Sequence, residues 1–267
     1  MTTLHQQTPG CSDFDVRIGE RPDPSFRVLL PEWIHGRGII HDGLLHVIPG
    51  SWRDTDRGTQ GRFMVAGQLA IDVQIETSET GIQVVLGVTN AGSSEITDVW
   101  ANICTPVNHL PGSPGWSNAD FIPAAVPLDR ALQGRFWFEV LTPTRLSTLT
   151  ESGWVPMHPC PDRPDASSVP LYSFVPSVSA DAWACALESP AAGLWFYQAW
   201  DTPCRWCTPC PGNACMHLEP FVAERLLPGT RAAIRGWVGM HHGDRPSLRA
   251  ALRALGQREV PRGAGSP

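Results

Sequence analysis

The chain has 267 residues, 42% of them apolar and 17% charged, with a net charge of −6. This composition supports a substantial core and excludes a disordered chain, while the acidic balance excludes a general electrostatic nucleic-acid binder. All 20 basic residues are arginine, which excludes lysine Schiff bases, lysine-anchored pyridoxal phosphate, a Walker-A lysine and the kinase lysine, because a permanently protonated guanidinium cannot replace them. The opening MTTLHQQTPGCSDFDVR has no basic region followed by an apolar one, so no secretory signal is expected. No run approaches the ~18–20 apolar residues that span a bilayer. The expectation is a soluble, cytoplasmic protein with no membrane or nucleic-acid partner.

The 26 prolines and 25 glycines, about a fifth of the chain, suit many short strands joined by turns. In chain order, Leu44–Ile48 reads as a first strand. From Phe63 to Val88 the period is two. Phe63, Val65, Leu69, Ile71, Val73 and Ile75 alternate with polar residues, and Ile82, Val84, Leu86 and Val88 resume the pattern after Thr77–Gly81. This predicts a long antiparallel hairpin with one buried face. Further strands are predicted over Ile96–Cys104, Arg135–Leu141, Leu171–Val175, Ala182–Leu187, Leu194–Trp200 and Arg231–Val238, with irregular, functional-length loops over 105–130 and 155–170. One helix is predicted near the end: Asp244 caps it, Pro246 fits its first turn, and Leu248, Leu252 and Leu255 share a face. Residues 261–267 are expected to form a disordered tail. The fold class is all-β: a single large antiparallel sandwich over 1–260 with one short C-terminal helix.

Eleven tryptophans stand against two tyrosines. Trp100, Trp137, Trp183, Trp195 and Trp237 fall within predicted strands and suit the core, whereas Trp52, Trp116, Trp154, Trp200 and Trp206 fall in or beside loops. A loop indole can stack on the C–H face of a sugar, so the second group suggests a carbohydrate cleft. Cys204, Cys207, Cys210 and Cys215, followed by His217, have the spacing of a tetrahedral zinc site. The same spacing is open to disulfides, reduced thiols or an iron–sulfur cluster. Cys11, Cys104, Cys160 and Cys185 show no pattern and read as packing residues. No dinucleotide or phosphate-binding fingerprint is present, and no Gly-x-Ser-x-Gly elbow.

The stretch Cys215-Met-His217-Leu-Glu219-Pro220, then Leu226-Leu-Pro228-Gly229-Thr230 before a strand, resembles the closing segment of galactose-mutarotase-like proteins. Val88-Thr89-Asn90-Ala91-Gly92 resembles a hairpin exit common in that β-supersandwich family. Asn108-His109 falls near the family's Asn-His motif, with Leu110-Pro111-Gly112 in place of its aromatic part. Thr230 stands where the family's turn carries an acidic residue.

The resemblance implies a supersandwich fold, a small carbohydrate substrate and acid–base chemistry in which Glu219 is the base and His109 or His158 the acid. Asp120, Arg135, Trp200 and Trp116 are the candidate sugar contacts. Side chains alternate along a strand, so His217 and Glu219 share one face while Met216 and Leu218 take the other. A carboxylate and an imidazole can move protons near neutrality, which serves epimerisation, isomerisation or β-elimination. Two other readings stand. His217, Glu219 and a further histidine such as His109 or His241 hold a zinc ion, or the chain is a non-catalytic sugar-binding sandwich. His35, His41 and His46 are too scattered in sequence to assign.

Overall fold

The computed structural model describes residues 1–20, 26–41, 43–106, 138–141, 146–149, 158–159, 172–173, 182–189, 194–210 and 215–257. The first eight strands are β1 (Thr2–Gln6), β2 (Asp13–Ile18), β3 (Phe26–Arg37), β4 (Ser51–Thr55), β5 (Gly58–Val65), β6 (Leu69–Thr77), β7 (Gly81–Asn90) and β8 (Ile96–Pro106). Four short ones follow, β9 (Phe138–Leu141), β10 (Leu146–Leu149), β11 (His158–Pro159) and β12 (Tyr172–Ser173). The chain closes with β13 (Ala182–Ser189), β14 (Leu194–Cys210), β15 (Cys215–Leu226), β16 (Arg231–His242) and a helix α1 (Arg245–Gln257).

Fourteen strands form one sheet whose main path runs β1-β2-β3-β8-β15-β14-β16-β7-β6-β5-β4, with β13, β9 and β10 branching from β14. Every pairing is antiparallel. The sheet curls until β1 meets β6 and β2 meets β7. Its two halves thereby bury one core between them, with Phe14, Val28 and Leu30 on one side and Ile71, Val73 and Leu86 on the other. This is the sandwich that the period-two pattern predicts.

The hairpin expected from Phe63 to Val88 is a three-stranded meander. Ala66 and Gly67 have φ of 48° and 68°, and the Gln68 amide donates to the Val65 carbonyl at 2.8 Å, closing a tight turn between β5 and β6. Val65 pairs with Leu69, so the odd-numbered apolar residues stay on the buried face through the turn and conceal it. The 44–48 segment is a loop, not a strand. Leu45 is buried and its amide donates to the Glu32 carbonyl, while Leu44 and Val47 are exposed. Strands β1 to β3 lack a clean alternation and were not expected from the sequence.

Asp244 caps α1 as predicted: its Oδ1 accepts from the Ser247 amide at 2.9 Å. Leu248 and Leu252 are buried with Trp195, Tyr197 and Trp237 in a second, smaller core on the far side of β14 and β16. Burial of each leucine contributes about 1.5–3 kcal/mol. Asp244→Ala leaves the first-turn amides without an acceptor. It is expected to speed amide hydrogen exchange over 247–249 while leaving β16 protected.

Candidate active site

Three neighbouring strands, β3, β8 and β15, present a polar face opposite the core. On β8, Val99, Ala101 and Ile103 point inward, which turns Trp100, Asn102 and Cys104 to the other face. On β15, Leu218 is in the core, so His217 and Glu219 share the polar face as predicted. Register then aligns these residues in rows. Asp13, Leu29, Cys104, His217 and Thr208 form one row across five strands. Trp33 pairs with Asn102, and His35 pairs with Trp100, which pairs with Phe221.

Glu219 lies in the middle of this face. Its Oε1 accepts from Asn102 Nδ2 at 3.0 Å and lies 3.5 Å from His35 Nε2. Glu219 and Asn102 are only 8% and 6% exposed, whereas the His35 side chain is 46% exposed. One row away, His217 Nε2 is 3.1 Å from Glu32 Oε2. The Trp100 and Phe221 rings meet edge to face at 4.8 Å beside His35. A nearly buried carboxylate therefore sits against an open imidazole, with an apolar aromatic wall alongside. That arrangement can carry a proton between two adjacent oxygens of a bound molecule.

The far end of the long row is electrostatically tense. Burial holds the Asp13 carboxyl above the usual carboxylate range, against the pull of Arg27 and His46 and with some help from Asp15. Burial also holds the His46 imidazole below its usual range, opposed by Glu32 and Asp13. A folded-state pKa above the unfolded value means that ionised Asp13 destabilises the fold, a penalty that disappears as pH falls through the folded pKa. Asp13→Asn is expected to raise the melting temperature at neutral pH, and its advantage over wild type should shrink in acid.

Of the residues singled out from the sequence, Glu219 and His217 lie on this face. His158 sits in β11, paired with Ser173 off the main sheet. His109, Asp120, Trp116 and Arg135 lie outside the described residues. Trp200, expected beside a loop as a sugar contact, lies within β14 and is 1% exposed in the main core. It packs across the bare backbone of Gly236, where a Cβ would strike its ring. The cysteine run, whose spacing suits zinc, disulfides, thiols or a cluster, lies in β14 as far as Cys210 with an irregularity between Cys204 and Cys207, and Cys215 opens β15. Cys204 pairs with Pro220, Cys207 with Leu218 and Cys210 with Cys215. Cys204 is buried in the core. His241 Nε2 contacts Ser247 Oγ at 2.8 Å at the start of α1.

Sequence reasoning missed Glu32, His35, Asn102 and Cys104. Asn102 and Cys104 were legible in principle, since they hold the even phase of a strand whose odd phase is apolar. Glu32 and His35 were not, because β3 breaks register against β8 between Leu29 and Trp33 and again between His35 and Arg37. An open groove of about 580 Å³ on the outer face of β4 to β7 is lined by Trp52, Arg53, Arg62, Asp72 and Arg231. There Arg62 and Arg231 both approach Asp72 at 3.6 Å. It holds no histidine or cysteine, and its three arginines outnumber its one carboxylate, Asp72.

No family model and no curated protein matches the chain. The chain is similar in structure to a galactose mutarotase-like protein from Lactobacillus casei, at 11% identity and a TM-score of 0.46, covering 90% of this chain and 100% of that one. It is also similar to an aldose epimerase homologue from C. elegans (11%, TM-score 0.42), covering 75% of this chain and 71% of that one. A third similar structure is an α-N-acetylgalactosaminidase from Bifidobacterium bifidum (13%, TM-score 0.48), which covers 95% of this chain and 37% of that one. The likeness to aldose epimerase and mutarotase-like structures lies in the layout of the sheet, at low sequence identity.

Proposed function

We propose that the protein is a carbohydrate-active enzyme that moves protons at the anomeric centre of a small reducing sugar. The observation that carries this reading is the pairing of buried Glu219 with exposed His35 at 3.5 Å on the polar face. The motif around Glu219, which resembles that of mutarotase-like proteins, supports it. The hydroxyl oxygen and the ring oxygen share the anomeric carbon, so a base and an acid that stand close together can serve both. Glu219 takes the proton from the anomeric hydroxyl. The protonated imidazole of His35 gives its proton to the ring oxygen, the C1–ring oxygen bond breaks, and the open aldehyde recloses from either face with the protons returned. Asn102 holds Glu219 in place through its side-chain amide, and the Trp100–Phe221 pair offers an apolar wall to a sugar face.

The test is proton NMR of reducing hexoses and pentoses with the wild-type protein in D2O. Anomer exchange faster than in buffer supports the reading. Deuterium appearing on a carbon next to a carbonyl, or an unsaturated product, assigns the same pair to epimerisation or elimination instead. Sugar binding without any exchange makes the chain a binding module and overturns the enzymatic reading.

A further inference from the structure

We infer that Glu32, Cys104 and His217 form a binding site for a single zinc-type transition-metal ion. Their ligand atoms, a carboxylate oxygen, a thiol sulfur and an imidazole nitrogen, all lie within 4.8 Å of one another. They come from three adjacent central strands, β3, β8 and β15, and Cys104 and His217 stand directly opposite in register. This is rigid scaffolding for a coordination sphere.

Geometry and charge both fit the ion. Tetrahedral zinc with bonds of about 2.0–2.3 Å sets its donors roughly 3.3–3.8 Å apart. The imidazole and carboxylate already approach to 3.1 Å, so side-chain rotations of about 1 Å would close the set. Cys104 is 1% exposed and His217 is 8% exposed, and charge placed there needs compensation within the protein. A thiolate, a carboxylate and a neutral imidazole around a divalent cation sum to zero. A sulfur and a nitrogen donor favour zinc, cobalt or nickel over magnesium or calcium, which prefer oxygen. Three protein ligands leave the fourth position open, as in catalytic zinc sites, on the same face as Glu219. The inference stands apart from the acid–base reading, since it is tested without any sugar.

Cobalt(II) titration of the metal-free full chain, followed by absorbance, is the experiment. One equivalent is expected to bind with intense tetrahedral d–d bands and a thiolate-to-cobalt charge-transfer band. Cys104→Ser should abolish the charge-transfer band, and His217→Gln and Glu32→Gln should each weaken binding at least about tenfold. A Cys207→Ser, Cys210→Ser, Cys215→Ser triple variant should keep the wild-type spectrum. Absence of stoichiometric binding overturns the site, as does a band that survives Cys104→Ser and is lost in the triple variant. If Cys104→Ser does not fold, Glu32→Gln decides, because it leaves the buried thiol in place; unchanged cobalt affinity there overturns the site.

Discussion

Asn90→Ala is expected to cost about 3 kcal/mol of folding stability, an unusually large effect for a polar side chain at a strand end. Asn90 is completely buried at the exit of β7. Its Nδ2 donates to the carbonyls of Ser94 and Leu226, each at 2.8 Å, and its Oδ1 accepts from the Gly92 amide at 3.0 Å. Its backbone bonds with Thr230 and Gly229, which ties β7 to the turn between β15 and β16. That turn has Pro228 followed by Gly229 at φ 76°, closed by the Thr230 amide on the Leu227 carbonyl, the geometry of a type II turn. Alanine at position 90 would leave two carbonyls and one amide without their partner, and each such buried group costs about 1–3 kcal/mol when water cannot reach it. Thermal unfolding should show a fall of roughly 6–12 °C in melting temperature. Asn90→Asp should be similarly harmful, because a carboxylate cannot donate to either carbonyl. A melting temperature within 2–3 °C of wild type would show that the surrounding groups find other partners.

Asn90 also shows what the sequence made legible. The Asn90 exit and the Pro228-Gly229 turn were two separate motifs in the sequence, and the structure joins them as one hydrogen-bonded unit. The alternation in β6 and β7 placed Ile71, Val73, Leu86 and Val88 in the core, because a half-buried strand writes its faces at period two. The same rule put His217 and Glu219 on one face with Leu218 behind them. It could not supply their partners. Glu32 and His35 come from a strand nearly two hundred residues earlier, whose two register shifts scramble its period, and cross-strand neighbours are invisible along one strand. Cys104 looked like a packing residue because no other cysteine stands at metal-ligand spacing. Its companions are a glutamate and a histidine from other strands. Trp200 misled for the opposite reason: it stands at the end of the predicted Leu194–Trp200 strand, but β14 continues to Cys210, and its indole stays in the core.

The proposed chemistry turns on Glu219. Replacing it with glutamine keeps the volume and the acceptor that meets Asn102 while removing the base, so the substitution separates chemistry from structure. Removing a positioned general base typically costs a factor of about 10²–10⁴ in rate, while the kept side-chain volume and the acceptor for Asn102 hold the fold together. The most direct measurement is the rate of anomer interconversion, by NMR exchange spectroscopy, for wild type and Glu219→Gln at matched concentration, with melting curves recorded on the same samples. The expected result is catalysed exchange in wild type and a loss of at least about a hundredfold in the variant, with no fall in melting temperature. Equal rates in the two proteins would contradict the assignment of Glu219 as the base, and with it the placement of the reaction on the β3–β8–β15 face.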